Sequence, residues 1–475
     1  MRKTLFTIAS GIAAALFFGC GGGSGGGTTG TQNAATIEVR ALSAGWHHTC
    51  AIILTDRNQT EVKCWGGNNH GELGNDTLSD SRTPVTVLDG NGQPLRGVKE
   101  ISASRYYTCA LLDSGHVKCW GWNEGGKLGD GKMDKTQFSS YRSYIPFEDE
   151  ANAAKAVDVL IDANTPLDNV VQISAGSWHA CALLNDGTVK CWGQNFDGAL
   201  GIGKNPDEFD PQTALINHDE FKKLFWPYAI TVVESNTSST HITDVKQVAA
   251  GSSDHTCILF NDGKVKCWAW NGGADGELGF DDTSITFTTA PSQYVKDETG
   301  NELTGVSKIV TGGDFTCALL SSGGVKCWGW NPQGQLGNDL NESVAHAVTV
   351  MDQNGSPLSG VKDIVSERGN HTCALMNDDT LKCWGDNTHG QLGIGNIGSS
   401  YIAHAVDVGI SDIKSVAAGG GGRDPLSSSP VQYDGDHTCA ITVAGEVYCW
   451  GSNDKGQLGD GTTQDRASPV KVQGL

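Results

Sequence analysis

The strongest constraint on the fold of this 475-residue chain is a unit built around two cysteines that recurs seven times. In residues 109–129, CALLDSGHVKCWGWNEGGKLG, two cysteines stand ten positions apart and are followed by Trp-Gly and Leu-Gly steps. Apart from Cys20, the cysteines form seven pairs without remainder, six of them ten positions apart and the first fourteen: Cys50 and Cys64, Cys109 and Cys119, Cys181 and Cys191, Cys257 and Cys267, Cys317 and Cys327, Cys373 and Cys383, Cys439 and Cys449. This regular recurrence predicts a repeat array rather than one globular core.

Each cysteine pair flanks a β-hairpin signal. Between Cys109 and Cys119, two apolar runs meet at a three-residue loop that ends on Gly115, where a left-handed residue is needed. The same position holds Gly187, Gly263, Gly323, Gly445 and, once, Asp379. This loop places the two cysteines directly opposite each other in a non-hydrogen-bonded pair, with Cα atoms about 4.5 Å apart. A disulfide can span that distance.

The N-terminal segment is typical of an exported protein. Residues 1–19 begin with a basic pair and continue as an apolar run to Phe18, and Gly19 then stands before Cys20. This ending resembles a bacterial lipoprotein signal, which implies acylation of Cys20 and an anchor in the cell envelope, at the outer membrane. The apolar run is shorter than the roughly 20 residues that a membrane-spanning helix needs. Residues 20–36 are rich in Gly, Ser and Thr and predict a flexible tether.

The chain is strongly acidic. Without residues 1–19 it holds 31 basic and 54 acidic residues, a net charge of −23. Such a surface repels phosphate backbones, so nucleic acid is not expected as a partner. Membrane contact is expected through the lipid anchor only.

Three interpretations of the cysteine pairs remain open. Disulfides are favoured in an exported chain, and each would contribute about 2.5–3 kcal/mol by constraining the unfolded state. Zinc is the second, because five units carry a His two positions before the first cysteine: His48, His179, His255, His371 and His437. Tyr107 and Phe315 hold that position in the other two units while both cysteines remain, which favours a packed ring over a metal ligand. Free core thiols are the third, and the complete pairing argues against them.

The rest of the unit predicts four strands. After the second cysteine come Trp-Gly (Trp-Ala once), an Asn three residues after the Trp, and a closing Gly-x-Leu-Gly. Other apolar strands lie upstream, such as Val98–Ala103 and Ala347–Val350. Four-stranded units that recur every 55 to 76 residues are typical of propeller blades. Residues 37–475 are therefore predicted to form an all-β, seven-bladed propeller.

The motif HTCALMNDDTLKCWGDNTHGQLG at residues 371–393 closely resembles the repeat of the regulator of chromosome condensation family. The shared signature is His-Ser/Thr, Ala-Leu, Asp-Gly, Trp-Gly-x-Asn and Gly-Gln-Leu-Gly. The resemblance extends over about residues 37–475 and implies a seven-bladed propeller. The cysteine pairs, acidic charge and export signal depart from the nuclear members, so nucleosome binding and guanine-nucleotide exchange are not expected.

The two ends of the repeat array suggest how the ring closes. Every unit after the first is preceded by a Pro-Val-type strand, whereas the first begins at Ile37 directly after the tether. A strand of that type recurs at Ser468–Val472. We therefore expect the C-terminal strand to complete blade one, which would leave no free edge.

Candidate binding residues are those that vary inside the fixed repeat. The residue after the Trp-Gly or Trp-Ala step is an indole in three units, and two more indoles precede the first cysteine of their units: Trp122, Trp270 and Trp330, then Trp46 and Trp178. Indoles are enriched at interface hot spots, so these rings could form a partner-binding surface. The alternative is that they cap the blade cores.

Two long connections supply further candidates. Residues 130–169 and 202–244 carry several aromatic side chains, among them Tyr141, Tyr144, Phe225 and Trp226. Long loops on a rigid scaffold commonly carry binding function. The alternative is that their rings only keep the loops folded.

Outside the Gly-rich segment of residues 20–36, the sequence contains no catalytic motif, such as Gly-x-Ser-x-Gly or His-Glu-x-x-His, and no phosphate loop. We expect no enzyme activity, cofactor or metal, since the Asp-rich loops near Asp89, Asp297 and Asp352 lack the terminal Glu of a calcium site. The first hypothesis is an envelope-anchored, non-catalytic scaffold that binds an unidentified protein. The alternative is a carbohydrate-binding or carbohydrate-active envelope protein that uses the Trp-rich face for a glycan. A purely structural envelope component is the third.

Overall fold

The computed structural model describes residues 37–133, 152–204, 224–252, 254–272, 275–398, 401–421 and 435–475. Residues Ile37–Leu475 form one compact unit that contains seven four-stranded antiparallel sheets. The predicted all-β, seven-bladed propeller is therefore confirmed. Within the described ranges, no helix is long and apolar enough to cross a membrane. The predicted signal of residues 1–19, the tether and Cys20 lie outside the described residues.

Each blade consists of four strands, here called A to D in chain order. Blades one and two are β1–β4 (Glu38–Ala44, His48–Leu54, Thr60–Gly66, Ser81–Thr86) and β5–β8 (Val98–Ala103, Tyr107–Leu112, Val117–Trp122, Asn152–Asp158). A small hairpin, β9–β10 (Leu160–Asp162, Thr165–Pro166), precedes blade three, β11–β14 (Val170–Ala175, His179–Leu184, Val189–Gln194, Phe225–Thr231), which includes a 3-10 turn at Phe196–Gly198. Blades four and five are β15–β18 (Val245–Ala250, His255–Phe260, Val265–Trp270, Phe287–Thr288) and β19–β22 (Val306–Thr311, Phe315–Leu320, Val325–Gly329, Val344–Thr349). Blades six and seven are β23–β26 (Val361–Val365, His371–Met376, Leu381–Asp386, Tyr401–Asp407) and β27–β30 (Ile413–Gly419, His437–Thr442, Val447–Gly451, Arg466–Lys471).

The strand order defines two faces of the ring. The A strands of neighbouring blades pack against each other, so strand A is innermost and strand D outermost. Because the strands are antiparallel, the A–B and C–D loops lie on one face, called the AB face. The B–C turns and the D–A connections between blades lie on the opposite face, called the BC face.

The cysteine pairs join strands B and C within each blade. In every blade the two cysteines are register partners, as in Cys109 opposite Cys119. Their Cα atoms are 4.1 Å apart, close to the expected distance, and a disulfide joins them. The turn residues also behave as predicted, with φ of +85° at Gly115 and +61° at Asp379. All seven predicted disulfides are present in the structure.

The Trp and the Leu-Gly step of the repeat connect one blade to the next. The indole Nε1 of Trp384 in blade six donates to the carbonyl oxygen of Gln335 in blade five at 2.9 Å. Gly337 has a φ of +65°, and a Cβ there would lie 2.9 Å from the Trp384 ring. Asn331 holds this loop by accepting the amide of Leu336 at 2.9 Å. The seven Trp residues at this position are fully buried: Trp65, Trp120, Trp192, Trp268, Trp328, Trp384 and Trp450.

The structure corrects the predicted ring closure. The C-terminal strand Arg466–Lys471 pairs with Val447–Gly451 in blade seven, not with a strand of blade one. The Pro-Val-type strand follows its unit instead of preceding it, so Ser81–Thr86 completes blade one. Blades seven and one are joined by the same contacts that join other blades, including the bond from Trp65 Nε1 to the Gln457 carbonyl at 2.9 Å.

Candidate functional site

The AB face carries the three longest insertions of the repeat. Two lie between strands C and D of blades two and three, and the third lies between strands A and B of blade seven. Their described ends are Met133 and Asn152, Lys204 and Leu224, and Gly421 and Gly435. Tyr141 and Tyr144, the predicted binding residues of the first insertion, lie outside the described residues. The departures from the repeat are thus concentrated on one face.

Phe225 and Trp226 lie in a strand instead of a loop. Residues 202–244 were expected to be one long connection, but they contain β14, which pairs Phe225 with Gln194 and Trp226 with Gly193. Phe225 is only 2% exposed, so its side chain offers almost no surface to a partner. The Trp226 ring is partly buried and lies 4.8 Å from the Lys204 ammonium. In the same way, β8 supplies the outer strand of blade two from within residues 130–169.

An aromatic–cationic cluster lies on the AB face across blades one to three. Its members are Trp46, His70, Arg105, Tyr106, Trp122, Lys127 and Trp178. At its centre the guanidinium of Arg105 lies 4.6 Å from the Trp46 ring and 4.6 Å from the Trp178 ring. Each cation–π contact is worth about 0.5–2 kcal/mol. The Arg105 side chain therefore holds together the A–B loops of blades one, two and three, which are distant in sequence.

The rest of the cluster surrounds a second cation and two further rings. The Lys127 ammonium lies 4.4 Å from the Trp122 ring and 5.0 Å from the Trp178 ring, and the side chain is fully buried. Tyr106 lies between Trp46 and Trp122, at centroid distances of 5.2 and 5.4 Å. His70 stacks on Trp122 at 4.8 Å. These contacts within the chain therefore hold the indoles in position without a partner.

The predicted indoles divide between two roles. Trp46 and Trp178 are 9% and 5% exposed, so they form the buried part of the cluster. Trp122 is only partly buried and reaches the surface. Trp270 and Trp330 occupy the equivalent strand end in blades four and five, where Trp330 is 8% exposed. The cation–π contacts of Arg105 and Lys127 link Trp46, Trp122 and Trp178, whereas the predicted surface also included Trp270 and Trp330.

Sequence reasoning missed the side chains that give the cluster its accessible surface. Arg105, Tyr106 and His70 are each partly buried and lie beside Trp122 and Trp46. The signal was present in the A–B loop of blade two, where Ser-Arg-Tyr-Tyr replaces the usual Gly and small polar residues. Arg105 and Tyr106 are therefore two adjacent departures from the repeat.

The A–B loop of blade six crosses the axis of the ring. The guanidinium of Arg368 donates to the carbonyl oxygens of Ala175 in blade three and Ala103 in blade two. The carboxylate of Glu367 accepts the amide of Ala44 in blade one at 2.7 Å. The Arg368 carbonyl accepts the hydroxyl of Ser252 in blade four at 2.9 Å.

Backbone bonds extend this axial loop to the two remaining blades. The Glu367 amide donates to the carbonyl oxygen of Ala418 in blade seven. The Arg368 amide donates to the carbonyl oxygen of Thr311 in blade five. Arg368 is buried and Glu367 is partly buried, and burial lowers the pKa of the Arg368 guanidinium while it raises that of the Glu367 carboxyl. One loop therefore bonds to all six other blades.

The repeated histidines form contacts between blades. The Nε2 atom of His179 lies 2.7 Å from the Thr256 hydroxyl of the next blade, and the other four make the same contact with Thr108, Thr316, Thr438 and Thr49. Burial lowers the pKa of His48 and His179 to about 3, so these rings stay neutral. The packing interpretation is confirmed. No cluster of His, Cys, Asp or Glu suited to a metal occurs in the described part of the chain.

Solved structures support the fold assignment. The propeller matches yeast RCC1 (Prp20) in its complex with Kap60, with a TM-score of 0.61, 18% identity, and coverage of 93% of this chain and 85% of that one. It also matches human WBSCR16, with a TM-score of 0.57, 20% identity, and coverage of 81% and 85%. At these identities the matches bear on the fold alone.

Sequence comparisons give the family. The Arabidopsis thaliana ultraviolet-B receptor UVR8 is 28% identical over 92% of this chain and 82% of its own length. The human E3 ubiquitin-protein ligase HERC2 is 27% identical over 92% of this chain, but over only 8% of its own length. The profile of the regulator of chromosome condensation (RCC1) repeat matches residues 39–72, 98–127 and 61–111, and that of the RCC1-like domain matches residues 165–475. The chain therefore belongs to the RCC1-like domain family.

Proposed function

We propose that the protein is an exported lipoprotein that is acylated on Cys20 and presents its propeller in the cell envelope as a non-catalytic scaffold for another protein. The apolar N-terminal segment and the Gly19-Cys20 step support the export and the anchor. The seven disulfides support an oxidising compartment. The family includes a photoreceptor and part of a ubiquitin ligase, so membership does not fix the partner.

The aromatic–cationic cluster is the observation that carries the binding role. Trp, Tyr and Arg are the residue types most enriched at interface hot spots, and Trp122, Tyr106 and Arg105 lie together on the AB face with partly accessible side chains. Their rings and the guanidinium are already ordered by mutual contacts, which lowers the entropic cost of binding. We therefore place the partner-binding surface on the AB face over blades one to three.

Site-specific photocrosslinking on intact cells tests the binding surface. A photoreactive residue at position 106 is expected to capture one protein, and the same residue at position 161, in the exposed β9 on the BC face, is expected not to capture it. Arg105→Ala and Trp122→Ala should reduce capture about tenfold or more, as hot-spot truncations do. Secretion level and disulfide content report whether each variant folds.

Two results would contradict this proposal. Equal capture from positions 106 and 161 would show that the AB face has no special role. Binding on a glycan array that is lost in Trp122→Ala would favour the carbohydrate alternative. The anchor is tested separately, because Cys20→Ser should move the protein from the membrane fraction to the soluble envelope fraction.

A further inference from the structure

Side chains at one repeated position of strand A link neighbouring blades around the axis of the ring. In every blade this position pairs with the second residue after the first cysteine, and its occupants are Ala41, Glu100, Gln172, Gln247, Lys308, Asp363 and Ser415. Lys308 forms an ion pair with Asp363 of the next blade, with Nζ and Oδ1 2.5 Å apart. Long side chains at this position therefore reach from one A strand to the next.

The two glutamines at this position each form a pair of hydrogen bonds with one residue of the next blade. The Oε1 atom of Gln172 accepts the amide of Val248 at 2.9 Å, and its Nε2 atom donates to the Val248 carbonyl oxygen at 3.0 Å. Gln247 bonds in the same way to the amide and the carbonyl oxygen of Ile309, at 2.9 and 2.6 Å. A carboxamide can bond to both backbone groups because it carries both an acceptor and a donor.

Glu100 occupies the same position at the junction of blades two and three. Its Oε1 atom accepts the amide of Ile173, the residue equivalent to Val248 and Ile309, at 3.3 Å. The second carboxyl oxygen corresponds to the Nε2 atom that donates to a carbonyl oxygen in the other two contacts. An ionised carboxylate has no hydrogen to donate, whereas a protonated carboxyl has one O–H. The complete pair of bonds is therefore available only to the protonated acid.

We propose that Glu100 is a proton-dependent contact between blades two and three. As a neutral acid it donates its O–H to the Ile173 carbonyl oxygen, and when it releases the proton to solvent that hydrogen bond is lost. Gln172 and Gln247 carry no charge at any pH, so of these three equivalent contacts the one between blades two and three responds to pH. This inference goes beyond the proposed function and does not depend on it.

The surroundings of Glu100 favour the neutral acid. The side chain is partly buried, and burial raises the pKa of its carboxyl to about 7, against smaller opposing effects of the Ile173 amide and the Lys99 ammonium. Strand β11, on which Ile173 lies, carries no titratable side chain. The charged or titratable side chains of the other elements around β5 are Glu38 and Arg40 on β1, His48 on β2, Glu61 and Lys63 on β3, Tyr107 on β6, Glu367 and Arg368 in the axial loop, and Arg96, Asp113 and Asp168 in the loops on the BC face beside β5 and β11.

Replacement of Glu100 by Gln tests the contact, because Glu100→Gln keeps both hydrogen bonds without a proton to lose. In the wild type, the contribution of Glu100 to the free energy of unfolding is complete below about pH 4.5 and is lost as the pH rises through about 7, since the folded chain holds this proton more tightly than the unfolded chain. Between pH 5 and pH 8, the equilibrium constant for guanidinium unfolding with intact disulfides should rise about fiftyfold more in the wild type than in Glu100→Gln. Equal rises in the two proteins would overturn the proposal.

The equivalent position in the next blade provides the control. Gln172→Glu places a carboxyl opposite Val248 and should add a further rise of about tenfold or more over the same pH range. Glu100→Ala removes the contact altogether, so it should be less stable than the wild type at pH 5 and show the same small rise as Glu100→Gln. A rise in Glu100→Ala as large as that of the wild type, or no added rise in Gln172→Glu, would overturn the proposal.

Carbon-13 NMR of the carboxyl groups in glutamate-labelled protein follows the proton directly. One resonance that titrates near pH 7 should be present in the wild type and absent from Glu100→Gln. If the resonance that disappears in Glu100→Gln titrates near pH 4.5 instead, Glu100 is ionised at neutral pH and the proposal is wrong.

Discussion

Replacement of His255 by Phe should reduce the pH dependence of stability by a defined amount. His255 is fully buried, and burial lowers its pKa from 6.5 to about 4. The folded chain therefore excludes a proton that the unfolded chain accepts below pH 6.5. The contribution of His255 to the free energy of unfolding is complete above pH 6.5, declines as the pH falls, and stops declining near pH 4.

The size of the effect follows from this difference in pKa. One pH unit is worth about 1.4 kcal/mol, so His255 removes about 2 kcal/mol of unfolding free energy between pH 6.5 and 5. Phe is a suitable replacement because Phe315 fills the same position in blade five and is fully buried there. Guanidinium unfolding at pH 7 and pH 5, with disulfides intact, measures the free energies. The wild type should lose about 2 kcal/mol more than His255→Phe between the two pH values.

The reverse exchange is the control. Phe315→His adds one imidazole at a fully buried position and should increase the loss between pH 7 and pH 5 by a similar amount, about 2 kcal/mol. If His255→Phe and the wild type lose the same free energy to within about 0.5 kcal/mol, the buried ring is not excluding a proton and the reasoning is wrong.

Three further predictions concern the frame of the propeller. Cys317→Ser with Cys327→Ser should lower the free energy of unfolding by about 2.5–3 kcal/mol, and the unreduced, denatured wild type should show no alkylation at the seven pairs by mass spectrometry. Gly393→Ala should cost about 2–4 kcal/mol, because φ is +71° and the Cβ would lie 2.7 Å from Trp450 Nε1, whereas Gly409→Ala, which meets nothing within 4 Å, should be nearly neutral in thermal unfolding. Arg368→Met should cost about 3–5 kcal/mol in guanidinium unfolding, since it leaves the buried carbonyl oxygens of Ala103 and Ala175 without their donor and the partly buried Glu367 carboxyl without its adjacent cation; a loss below about 1 kcal/mol would contradict this role of the axial loop.

The parts of the fold that depend on local register could be predicted from the sequence. The position of Gly115 fixes the hairpin, and the hairpin fixes Cys109 opposite Cys119. The repeated Trp-Gly and Leu-Gly steps identify the blades because every junction uses the same contact. The closure of the ring was predicted incorrectly, because a D strand such as Ser81–Thr86 can be assigned in sequence to the unit before it or after it.

The parts that depend on contacts between distant blades could not be predicted in the same way. Arg105 stacks between indoles from blades one and three, and Arg368 bonds to blades two and three from blade six. Neither contact has a signal in sequence spacing, because the ring brings together residues that lie far apart in the chain. Both arginines interrupt the usual small residues of their A–B loops, and a search for such interruptions would have identified them.

The position of β1 determines how the propeller would respond to a pull on its N-terminal end. Strand β1 is the first strand of the propeller and lies at the junction with blade seven, which no disulfide in the described structure crosses. A pull on Ile37 that is directed along β1 would shear it against β2, so the backbone bonds between the two strands would resist the force together. If β1 detaches, chain extension reaches the disulfide between Cys50 and Cys64, and the 13 residues between them cannot be drawn out. The blade-one disulfide therefore limits how far the chain can lengthen under load.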